Sequence, residues 1–532
     1  MKRLFPLLSL FAILVFFVAC SPEISFVPVE DPNTEQGGNE DSNNENSSED
    51  DNSKEDEESK EDEKDDNNKE EIGGEEGTEY DNTQPDHGSA GDEIEANTDI
   101  DPWTGAVADD AYLDAVGSDN DLFVELNNFS KCVVVRFDGN TATVENSNSS
   151  IVSHVNGAYV AIDMVSNCVD GVEIVAMGKS SDGGLKIYGD KKFKLTLNGL
   201  DITSKKGPAI NSQCKKRVYL NLADGTTNRI ADSSTYADDA YTLPGSYDED
   251  RKGAFFAEGH IIVSGHGVLV ADGEYKHAIV TDGYYYQRPG STVVVNSAAK
   301  NALHVKGDEE DQIGAWFAGG MFYARVASTA GKGVKRDYDI VIDGGKFDIE
   351  TSGNAEYDAT EADTSSAAGL KSDTHIEINN GELKFKSTGT GGKGINCDGS
   401  LTINGGNLNL TTTGKRYEYN KNTTSSPKAI KVDGAIIING GVIDINVTGA
   451  SEGSEGMESK STITFNGGET MIKSYDDGVN ATSDITINGG NLYVEGNNAS
   501  KAKARIKAYA LKEPCSSLQP YRNRGHGNSH GL

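Results

Sequence analysis

Sulfur is scarce in this chain and badly placed for chemistry. Of 532 residues six are cysteine, and Cys20, Cys132, Cys168, Cys214, Cys397 and Cys515 include no CxxC pair. That spacing excludes a zinc or dithiol redox motif. It predicts isolated, mostly buried thiols, because a free cysteine packs as a small hydrophobe. A helical period of 3.6 is missing between residues 121 and 494, which excludes a helical core. The apolar run at residues 4–19, behind Lys2 and Arg3, is shorter than the ~20 residues a spanning helix requires. It reads as a secretory signal.

That run ends in Val18-Ala19-Cys20-Ser21, which resembles the lipobox at which signal removal exposes a thiol for diacylglycerol transfer, with Phe17 where Leu is usual. Cys20 is therefore the expected lipidation site and a lipid anchor the expected membrane partner. The plainer alternative is an ordinary secretory signal containing a chance cysteine. Apolar residues are nearly absent from 30–100, where 29 Asp or Glu face 4 Lys and hold a net −25 of the chain's −37. Such a segment cannot bury enough surface to fold. As a coil it would span on the order of 50 Å, longer with self-repulsion. A calcium-collecting acidic tract is the other reading of the same residues. The net charge thus describes a tether, not a binding surface, and no nucleic-acid partner is expected.

What is present, from residue 121 onward, is a repeat. Gly-apolar-x-x-Asp, two residues, apolar-x-apolar-Asn-Gly-Gly and another alternating strand recur through the second half of the chain. The opening apolar residues are Val334, Leu370, Ile395, Ile430, Met457 and Val479. The second strand opens six residues later each time, at Ile340, Ile376, Leu401, Ile436, Ile463 and Ile485. Successive units are 36, 25, 35, 27 and 22 residues apart, so the register is rigid while one connection varies. This is the pattern of a solenoid, whose coils cannot bury their apolar faces alone.

Alternation predicts Ile340, Ile342, Phe347 and Ile349 inward in one coil, and Leu401, Ile403, Leu408 and Leu410 in another. Asn404, Asn439, Asn466 and Asn488, with Asp343 and Asn379, form a corner column, read as structural because Asn and Gly tolerate positive φ and stacked amides bond along the axis. Phe255, Ile279 and Leu303 look like opening residues of earlier coils, and Ala315-Trp316-Phe317-Ala318-Gly319-Gly320 like a strand and corner. The predicted fold is all-β, a right-handed single-stranded parallel β-helix, the hand following the general preference of parallel crossovers. A β-propeller or stacked sandwich modules are the alternatives; units of 22 to 36 residues are short for four-stranded blades. Expected boundaries are a signal at 1–19, a lipidated mature start at 20–29, a disordered acidic linker at 30–100, a further linker at 101–120, the β-helix at 121–498 and an atypical basic tail at 499–532. That tail carries seven Lys or Arg against Glu513 and reads as frame-shifted or truncated, with residues 504–508 looking like one more coil opening.

The segment from Leu185 to Gly199, LKIYGDKKFKLTLNG, with Gly207-Pro-Ala-Ile-Asn211, Lys276-His-Ala-Ile-Val-Thr-Asp282 and the repeated Ile-Asn-Gly-Gly corners, resembles the bacterial β-helical carbohydrate-binding domain family, whose fold is similar to that of calcium-dependent polysaccharide lyases. The resemblance implies glycan binding, with acidic (pectic) or cellulosic polymers as ligands and calcium within the domain.

Asp337, Asp373, Asp398 and Asp433 each follow an opening residue by three, and Glu258 and Asp282 hold the equivalent place earlier. A β-helix would stack these carboxylates ~5 Å apart, where they repel unless neutralised. Calcium would do so, and so would Lys335, Lys371 and Lys431 or turn amides. The same lysines are the candidate bases of a calcium-assisted lyase, but their repetition looks like a surface feature more than a tuned base. No catalysis is therefore expected. A surface adhesin recognising protein is a third reading. For stacking on pyranose rings, alternation turns Trp316 and Tyr323 outward, and Tyr284, Tyr285 and Tyr286 form a second cluster. The anchoring expectation has a direct check. Cys20→Ala should move the protein from membrane to soluble fractions and abolish fatty-acid labelling; unchanged labelling contradicts it.

Overall fold

The computed structural model describes residues 122–237, 249–307, 314–496, 498–502 and 506–508. The expected signal, Cys20, both linkers and residues 509–532 lie outside them. Among the described residues the backbone is β almost throughout, with one 3₁₀ turn at Val124–Leu126.

Each regular coil lays down three short strands, such as Lys393–Cys397, Ser400–Ile403 and Asn407–Thr412. Each strand pairs in parallel with its counterpart in the next coil, here Lys428–Val432, Ile436–Ile438 and Val442–Val447. Opening strands build a 14-stranded ladder from Val152–Asn156 to Asn498–Ala502. Second and third strands join one 25-stranded sheet. They are joined because Phe193–Thr203 is long enough to pair with Val218–Leu222 along one part and Thr227–Ala231 along the other. The fold is a parallel β-solenoid.

The six-residue offset survives intact. Val334, Leu370, Ile395, Ile430, Met457 and Val479 are successive register partners. So are Ile340, Ile376, Leu401, Ile436, Ile463 and Ile485. Every one of these side chains is at most 1% exposed, and each large aliphatic among them contributes about 1.5–3 kcal/mol by leaving water. Phe255, Ile279 and Leu303 continue the opening column upstream, as expected.

At the corner after the second strand the Asn side chains hydrogen-bond in one polarity. Asn488 donates to Asn466, Asn466 to Asn439 and Asn439 to Asn404, each at 2.7 Å, and Asn404 donates to Asn379 at 2.6 Å. The row ends on a carboxylate, Asp343, which accepts from Asn379 at 2.7 Å. The positive φ falls on the glycine two residues after the column residue at each corner, 88° at Gly441, where a Cβ would come 2.8 Å from the Gly406 carbonyl oxygen. Asparagine bonds along the axis while glycine makes the bend.

Two expectations are corrected. Strands Asn498–Ala502 and Ile506–Ala508 extend the ladders past residue 498, and Ile506 pairs with Ile485. It therefore sits in the second column, because the offset counts from Ser500, the partner of Val479. The thiols also divide. Cys214 and Cys397 are buried, but Cys132 and Cys168 are exposed, Cys132 on an outward strand position and Cys168 at φ 48° in a turn.

The register makes a sharp demand on substitution. Ile403 is fully buried and Thr402 faces out. Ile403→Asp should cost several kcal/mol, as an unpaired buried carboxylate does, whereas Thr402→Asp should fall within about 0.5 kcal/mol of wild type. Denaturant unfolding of both variants measures the contrast, and equal tolerance would contradict the register.

Candidate functional site

The predicted carboxylate column is a ladder of ion pairs. Lys335 lies 2.8 Å from Asp337, Lys371 bridges Asp373 and Asp398, and Asp433 sits between Lys431 and Lys460. Burial alone would raise the Asp337 carboxyl, but the His304 imidazole 3.7 Å away and the Lys335 ammonium outweigh it and hold it well below the usual range. Burial is likewise outweighed at Asp433 by its two lysines, and at Lys371, whose ammonium Asp373 and Asp398 stabilise. At Asp337, Asp373, Asp398 and Asp433 lysine thus supplies counter-charge, one of the two forms of compensation the sequence left open.

Asp282 is arranged differently. Its carboxylate converges with those of Asp250 and Glu258, ligand atoms all within 4.8 Å of one another. Lys252 meets Asp250 at 2.7 Å, but Lys306 reaches only 3.6 Å from Asp282 Oδ1, a buried atom with no hydrogen-bond partner. Burial pushes both Glu258 and Asp282 up; the neighbouring carboxylates add to it at Glu258, while Lys306 and Lys252 only partly offset it at Asp282. Three hard oxygen donors with incomplete compensation fit a calcium ion. Asp250, from the far side of an insertion, belongs to no repeat column and gave no sequence signal.

The expected sugar platforms are covered. Tyr285 points into the core, as the partner of Ile261 and Ala315 in the second column. The offset of six from Ile279 to Tyr285 already contained that answer. Tyr284 and Tyr286 do face outward, yet both are buried with Tyr219 and Ile262 beneath Leu122, Phe123 and Val124. Trp316, half-buried, packs edge-on to Tyr286 at 5.2 Å and donates its indole N–H to Asp343, closing the asparagine row. Tyr323 packs against Val270 and Val294 of the preceding coils.

The covering strap is held by Glu125, whose two carboxylate oxygens each lie 2.8 Å from Arg288 Nη1. Arg288 is itself buried against the Phe123 ring. Nothing in the repeat could show that a segment before the first coil would return to cover these rings.

The exposed rings lie elsewhere. Tyr493 is 57% exposed beside its register partner Met471 on the outer face of the third ladder. Tyr275, Tyr419 and Tyr475, each 44 to 55% exposed, project from connections between third and opening strands. Tyr275 stacks on Tyr236 at 3.9 Å, and Tyr419 on Tyr357 at 4.1 Å.

A family model for carbohydrate-binding domain-containing proteins matches residues 156–307, 286–418 and 420–500. The chain belongs to that family. The matched residues run through all three ladders. No curated protein matches the chain. A polysaccharide lyase-like protein from C. thermocellum, solved as a gadolinium derivative, aligns over 70% of this chain and 99% of its own, at 13% identity and a TM-score of 0.29. That likeness is too low to carry an argument.

Chemically, the ion-paired lysines are counter-ions to carboxylates. Trp316, as ladder terminus and packing partner, should now be costly to remove. Trp316→Ala should lower stability by roughly 2–4 kcal/mol, somewhat less than the roughly 3–5 kcal/mol of fully buried rings because the indole is only half-buried. A melting temperature equal to wild type would restore the reading of Trp316 as a free platform.

Proposed function

We propose that this chain is a lipid-anchored envelope protein whose right-handed parallel β-helix binds polysaccharide, acidic (pectic) or cellulosic, without catalysis. The observation that carries the reading is the family match, which extends along the same coils whose outer surfaces present tyrosine rings and ion-paired polar columns. Anchoring through Cys20 to the outer membrane or cell surface, with residues 30–100 as a tether, rests on the signal and lipobox-like residues and on the acidic composition.

Calcium enters the proposal at Asp250, Glu258 and Asp282. Bound there, it would neutralise three converging carboxylates and could bridge to a uronate. Absence of catalysis is supported by the pairing of Lys335, Lys371 and Lys431 with aspartates, which recurs from coil to coil as a surface feature instead of marking one site.

The test is pull-down of the full chain on pectate and on cellulose, with and without chelator, while ultraviolet absorbance follows unsaturated uronides. The expected outcome is retention on at least one polymer, weaker pectate binding and a lower melting temperature under chelation, and no rise in absorbance. Folded protein retained by neither polymer would remove the reading and favour a protein-recognising adhesin. A rise in absorbance on pectate would make it a lyase.

A further inference from the structure

The connection between third and opening strands is where coil length varies, and the two longest intervals in the regular repeat, 36 and 35 residues, put their extra chain there. Each insertion folds into a small antiparallel hairpin, Glu356–Asp358 with Asp363–Ser365 and Tyr417–Glu418 with Thr424–Ser425. They flank the short connection of the coil between them. Across it the Tyr357 and Tyr419 rings lie face to face, 4.1 Å apart and 4° from parallel. Tyr419 nevertheless stays 55% exposed.

The hairpins are mounted rigidly. Ser366 and Ser425 share a 2.8 Å hydrogen bond beneath them. Buried Lys393 donates to the carbonyl of Gly391, the hydroxyl of Ser425 and the carbonyl of Ser426 at 2.7 to 2.8 Å. The backbone crosses between them as well, Ala355 N–H to Thr390 and Gly391 N–H to Lys415, each 2.7 Å. Asp358 and Asn420 pin the turns by accepting backbone N–H groups at 2.9 Å. A ring held this way loses little freedom on binding.

Charge selects the ligand. The two insertions carry Glu356, Asp358, Glu361, Asp363 and Glu418 against Lys415, Arg416 and Lys421; Lys332 reaches Ser365 of the first hairpin at 2.9 Å, and Arg416 is paired with Glu452 at 3.0 Å. The cations here are matched by carboxylates and leave a polyanion no excess of positive charge to bind, whereas a hydroxyl-rich neutral chain meets acceptors beside an open ring. Tyr475 stands in the same connection two coils further on, roughly 10 Å along the axis at the ~4.8 Å rung spacing, the length scale of a disaccharide.

We propose that the paired hairpins are a platform for neutral polysaccharide, one pyranose stacking on the open face of Tyr419 and the chain running along the corner towards Tyr475, independently of calcium. This rests on the polysaccharide-binding reading above and narrows it.

Affinity electrophoresis of the full chain in gels containing hydroxyethyl cellulose or pectate, each with chelator and without, tests it. Tyr419→Ala should bind hydroxyethyl cellulose roughly three- to tenfold more weakly, the scale of one aromatic stacking contact. Tyr419→Phe should bind as wild type, pectate retardation should be the same in all variants, and chelator should not change binding to the neutral polymer. If Tyr419→Ala lowers the melting temperature, Tyr419→Leu, which keeps an apolar contact to Tyr357 without a flat ring, takes its place. Wild-type affinity of the ring-less variant would overturn the platform and leave the stacked pair as a clasp between hairpins. Binding of wild type to pectate alone would also overturn it, and in both cases polysaccharide binding would stand. Binding to neither polymer would overturn both proposals.

Discussion

Every feature of this molecule hangs on the register of parallel strands between successive coils. Backbone hydrogen bonds fix which residue lies above which, so one position per coil becomes one column along the axis. Columns of Ile, Leu, Val and Phe make the core, and a column of Asn makes a continuous hydrogen-bonded row. The constraint is strict because a shift of one residue would turn every inward side chain out. It is also local, since the ladder hydrogen bonds of each coil reach only its neighbours, which lets one connection grow or shrink without disturbing the rest.

The same register forces like charges into proximity, and the molecule resolves this in two ways. Along the later coils lysines two residues from the aspartates alternate with them, and Lys371 spans two coils at once. In the earlier coils Asp250, Glu258 and Asp282 gather with less compensation. The first arrangement is a surface of neutralised pairs and the second a concentration of oxygen donors. Both arise from carboxylates at an equivalent point of the coil. What differs is the length of the insertion that brings Asp250 in.

Covering elements set which outward rings stay open. The Leu122–Val124 strap, locked by Glu125 and buried Arg288, closes the flank bearing Tyr219, Tyr286 and Trp316. Breaking a buried ion pair of this kind costs about 3–5 kcal/mol, so the strap is part of the folded body. The hairpins do the reverse, lifting Tyr419 clear of the coils. Tyr275, Tyr419 and Tyr475 thus stand open at the corner, and Tyr493 on the sheet itself.

The repeat alone determined the solenoid, the inward residues, the corner asparagines and even the inward turn of Tyr285, because these follow from a period that the chain writes into itself. The ion pairing of Asp337, Asp373, Asp398 and Asp433 was legible too, since each pairs with a lysine two residues before it or in an adjoining coil. The tertiary structure decided what the period does not contain. Whether Trp316, Tyr284 and Tyr286 meet water depended on a strap outside the repeat. Whether Asp282 stands alone or in a cluster depended on Asp250, and whether Tyr357 meets Tyr419 depended on two insertions of nearly equal length flanking a short coil. Contacts between residues in register can be read from spacing, because hydrogen bonding fixes their separation. Contacts made by insertions depend on how irregular chain packs, and no repeat encodes that.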